Sequence, residues 1–182
     1  MAKVAVIFAP GFEEIEALTV VDVLRRAQIQ VHMVGWAKSV RGSHAITVEM
    51  DQVWPLSLVP YDAVVLPGGM PGAATLRDQE DLVCALKYHH QEGKLVSAIC
   101  AAPIALAQAG LLADKNYTCY DGFEQQITDG HYVKETVVVD DRVITSRGPA
   151  SALAFAYELV DQLGGEAQAL RQAMLYQDIF GE

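Results

Sequence analysis

Short apolar runs and stretches of helical period alternate along this chain. Lys3–Phe8 is a run of strand length, closed by Pro10-Gly11. Glu13–Ala27 repeats its apolar positions at helical spacing, with Glu13 and Glu14 beside the positive N-terminus. Gln30–Gly35 is a second strand. Residues 38–54 predict a hairpin or short strands, punctuated by Gly42 and Pro55. Ala63–Leu66 is a strand that runs into Pro67-Gly68-Gly69. Residues 78–92 predict a helix stopped at Gly93, and Leu95–Ile99 a strand followed at once by a helix to about Ala109, with Gly110 as its cap. Short strands are expected at 136–139 and 142–145. A helix follows over Pro149–Leu163: Leu153, Ala156, Leu159, Val160 and Leu163 share one face, Pro149 suits the first turn and Gly164 the stop. Residues 166–176 predict a further short helix.

This alternation implies parallel strands joined by right-handed crossovers, hence a layered α/β sandwich with a mostly parallel central sheet. Ligand sites in such folds lie beyond the carboxyl ends of the strands. Three loops fall there: Ala9-Pro10-Gly11-Phe12, Pro67-Gly68-Gly69 and Cys100-Ala101-Ala102-Pro103. No repeat, linker or low-complexity tract divides the 182 residues, so residues 1–182 are expected to form one domain.

Charge narrows the function classes. Thirteen Lys and Arg against 23 Asp and Glu leave a net charge of −10, and no basic stripe interrupts it. Such a surface repels nucleic acid and anionic membranes. No apolar run approaches the ~20 residues that a membrane helix needs, and the N-terminus lacks the pattern of a signal peptide. A cytoplasmic location is expected. Cys84, Cys100 and Cys119 cannot all pair within one chain, and none lies in a Cys-x-x-Cys arrangement. Free thiols, with no metal and no cofactor, are expected.

Cys100 is the residue with the most chemistry in its surroundings. It follows a buried strand, precedes a helix and has alanines two residues away on either side. A nucleophile elbow needs that pattern: a sharp, strained turn flanked by small residues. Backbone N–H groups at the helix start stabilise a thiolate below the ordinary thiol value of about 8.5 and form half of an oxyanion hole. The competing reading is an inert core cysteine, and Cys84 and Cys119 are assigned to it. Gly68-Gly69 brings N–H groups close to a bound oxyanion, or is an ordinary turn. It is no phosphate loop, since no Gly-Lys-Ser/Thr follows. Periodicity does not single out Glu16. His32 lies in a strand, and His44, His89, His90 and His131 lie in loops or on a helix surface. None adjoins Cys100.

Five segments in order resemble the ThiJ/PfpI superfamily, and within it the branch of the parkinsonism-associated deglycase with its bacterial ThiJ-like members. They are Ala9–Glu16, Tyr61–Gly69, Ala98–Pro103, Gly130-His131-Tyr132 and Thr145–Pro149. The resemblance implies a flavodoxin-like three-layer sandwich, of the class I glutamine amidotransferase type, and a homodimer. It implies catalytic roles for Cys100, as an oxidation-prone nucleophile, and for Glu16, held protonated beside it. The N–H groups of Gly69 and Ala101 would form an anion cradle, with Gly68 beside them. Ala101 stands where protease-like members carry histidine, and no C-terminal His-x-Glu pair appears, which argues against a peptidase. Tyr120 stands where several relatives have a histidine, and is expected to donate a hydrogen bond to substrate.

Two functions follow from that resemblance. One is a glutathione-independent glyoxalase or deglycase that acts on small dicarbonyls or glycated groups. The other is a redox sensor or chaperone whose Cys100 is oxidised to sulfinate with little turnover. Relatives also carry names linked to thiazole monophosphate biosynthesis, yet this chain shows no phosphate clamp.

Overall fold

The computed structural model describes residues 1–181. Its elements are β1 (Lys3–Phe8), α1 (Glu14–Arg26), β2 (Gln30–Gly35), β3 (Ser39–Arg41), β4 (Thr47–Glu49), β5 (Gln52–Val53), β6 (Ala63–Leu66), α2 (Gly72–Asp78), α3 (Glu80–Gln91) and β7 (Leu95–Ile99). They continue with α4 (Pro103–Gln108), β8 (Asn116–Tyr117), β9 (His131–Tyr132), β10 (Val137–Asp140), β11 (Val143–Ser146), α5 (Ala152–Gln162), α6 (Ala167–Ala173) and α7 (Tyr176–Phe180).

A seven-stranded sheet in the order β10-β11-β7-β6-β1-β2-β5 forms the middle layer. Every neighbouring pair in it is parallel except β10 with β11. The central strands have no exposed face: Val4–Phe8 are fully buried, and all of β6 and β7 is buried. Coverage from both sides explains why these strands are apolar runs rather than alternating patterns. From β1 the chain steps one way to β2, whereas β6 to β7 and β7 to β11 step the other way. Right-handed crossovers therefore put α1 on one face and α2 to α4 on the other. The packing agrees: α5 lies on α1, and α2 and α3 lie on α4. The direction reverses between β1 and β6, so a crevice opens beyond their carboxyl ends.

Five expectations are corrected. Residues 78–92 begin a helix only at Glu80, and a separate α2 precedes it, where small residues follow the glycine turn. Residues 149–151 form a 3-10 turn before α5, and α4 starts three residues after Cys100, not at once. Cys84 is exposed, because α3 turns Leu82 and Leu86 inward and leaves the cysteine between them on the outer face. His89 is buried, not on a surface, and burial pushes its imidazole down to about 4. Among the described residues, no helix is long and apolar enough to cross a membrane.

Candidate active site

The three loops meet at the reversal point. Cys100 leaves β7 with φ 65, in the left-handed region that a residue with a Cβ avoids. Such a residue stores on the order of 1–3 kcal/mol, and it persists because its surroundings over-determine it. Here the Cys100 N–H donates to Ser146 O and its carbonyl accepts from Tyr120 N–H, both at 2.9 Å. The elbow is thus clamped between β11 and the 118–120 segment. The sulfur-bearing residue keeps 8% of its surface exposed.

Glu16 reaches the same point from the first turn of α1, and it is fully buried. Its position is fixed from two sides. Glu13 caps the helix, its Oε2 accepting the Glu16 N–H at 2.8 Å. Glu16 Oε2 accepts the Gly68 N–H at 2.8 Å, whereas Oε1 is buried without a hydrogen-bond partner of ordinary geometry. A buried carboxyl with one unsatisfied oxygen favours the protonated form. Burial pushes Glu16 up to about 7, against the lowering pull of the Cys100 thiol and the Gly68 N–H.

Glycine is required at both positions of the Gly68-Gly69 turn. A Cβ on Gly68 would lie 2.7 Å from both Cys100 Cβ and Glu16 Oε2. Gly69 has φ 86, and a Cβ there would run into the backbone of Gly11, Phe12 and Glu13. The N–H groups of Gly69 and Ala101 face the sulfur and pull the Cys100 thiol down. The expected lowering of that thiol is nevertheless not met. Burial first, then the charge of Glu16, push it up, and they outweigh the two amides. The two groups oppose each other's charge: an ionised Glu16 disfavours the thiolate, and the proton on Glu16 favours it. The Gly68 N–H is engaged by Glu16 and so holds the carboxyl in place.

Tyr120 joins Cys100 through the main chain. Its half-exposed ring lies against Gly148 and lines a cavity of about 500 Å³ with Asp121, Thr136, Arg147, Pro149 and Ser151. Its hydroxyl is not brought to the sulfur by any hydrogen bond seen among the described residues.

A model of the DJ-1/PfpI family matches residues 2–162. The chain belongs to the DJ-1/PfpI family. It is similar to the protein dj-1beta of Drosophila melanogaster, with 38% identity over 91% of this chain and 92% of that one. It is also similar to the glutathione-independent glyoxalase DJR-1.2 of Caenorhabditis elegans, at 34% identity over 90% of each. The solved structure of oxidized DJ-1 from Toxoplasma gondii superposes with a TM-score of 0.91, at 35% identity over 96% of this chain and 98% of that one. The flavodoxin-like architecture is therefore that of the DJ-1/PfpI family.

The motif residues of this DJ-1/PfpI chain are surrounded by groups that its sequence left unassigned. Asp121 is bound by Lys134 at 2.9 Å and by Arg147 at 2.5 Å, and these cations hold its carboxyl at about 2. The pair braces the loop that carries Tyr120. Arg147 lies within the Thr145–Pro149 segment, but nothing in its sequence neighbourhood points to residue 121. Ligand atoms of Glu13, Glu14 and His44 come within 4.8 Å of one another. Both Glu14 oxygens already accept hydrogen bonds from the 43–46 segment, so the cluster is held internally.

Proposed function

We propose that this protein is a stress-protection enzyme that converts small dicarbonyls to hydroxycarboxylates without glutathione, with Cys100 as nucleophile and Glu16 as proton carrier. The observation that carries this reading is the pair itself: a strained, barely exposed thiol beside a carboxyl raised to about 7, with two amides directed at the sulfur. A relative that bears the name of a glutathione-independent glyoxalase supports the reaction class.

With methylglyoxal, the proton rests on Glu16 and the Cys100 thiolate attacks the aldehyde carbon. A C–S bond forms, and the former carbonyl oxygen takes up a proton to give a hemithioacetal. The Gly69 and Ala101 N–H groups stabilise the oxyanion as it develops. Ionised Glu16 then removes the hydrogen from that carbon to give an enediol and returns it to the neighbouring carbon, while the hydroxyl proton of the first carbon passes to the oxygen of the second, so the hemithioacetal becomes a lactoyl thioester. Water cleaves the thioester, releasing lactate and the thiol. No redox partner is consumed, because one carbon is oxidised as the other is reduced. A pKa near neutrality suits a group that must both give and take a proton. Cys100→Ala is expected to abolish lactate formation from methylglyoxal, followed by a lactate-specific assay. Unchanged lactate output from this variant would sink the reading. Release of glycated groups from proteins or nucleotides we hold as the extension of this activity: at a bound hemiaminal the C–S bond forms as the C–N bond breaks, the amine leaves with the proton from Glu16, and the same hemithioacetal results. Tyr120 and the cavity beside it would receive the larger substrate.

A second reading rests on the same thiol. Oxidation to sulfinate adds two oxygens and creates an anion that protonated Glu16 can donate to. Peroxide titration followed by intact mass would show a discrete two-oxygen gain confined to Cys100, and a weaker one in Glu16→Leu. Uncontrolled oxidation to sulfonate in the wild type counts against a sensor.

A further inference from the structure

The tip of the β3–β4 hairpin is tied to the start of α1 more heavily than a surface turn requires. Gly11 N–H donates to Arg41 O, and Ser43 N–H to Phe12 O, both at 2.8 Å. Glu14 Oε1 accepts the N–H groups of His44 at 2.7 Å and Ile46 at 3.3 Å. Glu14 Oε2 accepts from Ser43 Oγ at 3.2 Å and meets His44 Nδ1 at 2.9 Å. The same Nδ1 stands 3.8 Å from Glu13 Oε1. His44 itself is mostly exposed, whereas Glu13 and Glu14 keep only 7% and 4% of their surface.

Two adjacent buried carboxylates need a counter-charge. Among the described residues, the ion pairs of Glu13 and Glu14 are both with His44. Glu13 in turn caps the Glu16 amide, and its charge acts on Glu16. A chain of contacts therefore runs from the hairpin tip to the sulfur. We propose that His44 is a positioning residue whose imidazolium offsets Glu13 and Glu14 and so sets how the proton is divided between Glu16 and Cys100.

The sign follows from electrostatics. A charged His44 reduces the negative potential at the pair and eases formation of the thiolate. A neutral His44 leaves two carboxylates unbalanced, and the pair holds its proton more tightly. Glu14, through its hydrogen bond and its charge, raises His44 above the ordinary imidazole value, so the charged form extends toward neutral pH. The charged or titratable groups acting on His44 are Glu14 of α1 and Glu13, which caps it, and the hydroxyl of Ser43 lies beside it on the hairpin.

The proposal rests on Cys100 as the nucleophile but not on the identity of its substrate. The test is the pH profile of Cys100 alkylation by iodoacetamide in wild type, His44→Gln and His44→Arg. Both variants keep the backbone bonds to Glu14, and circular dichroism checks their folding. His44→Arg is expected to alkylate about two- to fivefold faster than His44→Gln at a given pH below the thiol's apparent pKa, the range for a partly exposed ion pair. Wild type should follow the Arg variant at low pH and cross to the Gln variant as His44 titrates. Three coincident profiles would reduce His44 to a loop clamp and overturn the proposal. A second readout does not depend on alkylation: by reciprocity, Glu16→Gln must shift the NMR titration of the His44 imidazole downward. An unmoved His44 titration also overturns the coupling, whereas a Cys100 that resists alkylation in all three proteins, with a shifted His44, counts against the nucleophile reading alone.

Discussion

Glu16 carries a titratable group to the centre of the molecule, and that placement has a cost that depends on pH. Its carboxyl is raised from 4.5 to about 7 by burial. A carboxyl raised in the folded state binds its proton more tightly there than in the unfolded chain. Stability from this group is therefore complete below pH 4.5 and declines as pH rises through about 7, by roughly 3 kcal/mol in total. Glu16→Gln removes the titration. Urea unfolding at pH 5 and pH 8 is expected to show the Gln variant gaining about 2 kcal/mol or more on the wild type between the two, and an equal pH dependence would refute the raised carboxyl. The local sequence could not reveal this. Glu16 sits two and three residues from Glu14 and Glu13, where surface glutamates are common. What distinguishes the three is where the first turn of α1 points, and that depends on Gly68 and Cys100, 52 and 84 residues further on. Cys100 is the opposite case. The strand, the helix and the small neighbours that make room for its turn are all within a few residues, so the elbow was legible.

Elements with strong local signals kept their predicted limits. β1, β2, β6 and β7 occupy the expected residues, because uninterrupted apolar runs in a doubly covered sheet can be little else. Elements whose form depends on neighbours were less legible. α2 has a first turn of Gly-Ala-Ala, too small to show an apolar stripe, and it is helical because it packs on α4. Cys84 and His89 exchanged sides for the same reason, since the rotation of α3 is set by what Leu82 and Leu86 bury. The short β8 and β9, paired parallel through Asn116–Tyr117 and His131–Tyr132, leave no periodicity at two residues each. The Glu13 cap of α1 was hinted at by an acid at a helix start. It contributes about 1 kcal/mol to the helix, and it also holds the Glu16 amide in register with Gly68.

At the scale of the whole molecule, the reversal of strand order between β1 and β6 is what brings loops from residues 9–13, 67–69 and 100–103 to one crevice. Two large apolar side chains stand exposed at the start of α1 and on the hairpin bound to it. Ile15 and Ile46, both beside Glu14, are 56% and 51% exposed. The homodimer that the resemblance implies is expected to cover them with a self-complementary patch. Light scattering should give twice the 19.7 kDa of one chain, and Ile15→Asp should shift the mass toward the monomer. A wild-type mass of one chain removes the dimer.

Sequence by itself determined the alternation of strands and helices, the acidic surface and the strained cysteine, since each is a property of neighbouring residues or of their sum. Tertiary structure alone decided the state of that cysteine. Burial and the charge of Glu16 reverse the shift that the elbow's amides would produce, because desolvation acts on every atom of the pocket whereas two N–H groups act on one. It also decided that Gly68 serves the carboxyl, that Asp121 and Arg147 brace the wall at Tyr120, and that His44 lies over two buried acids. Those are contacts between residues far apart in the chain, and they exist only once the sheet has set its strand order.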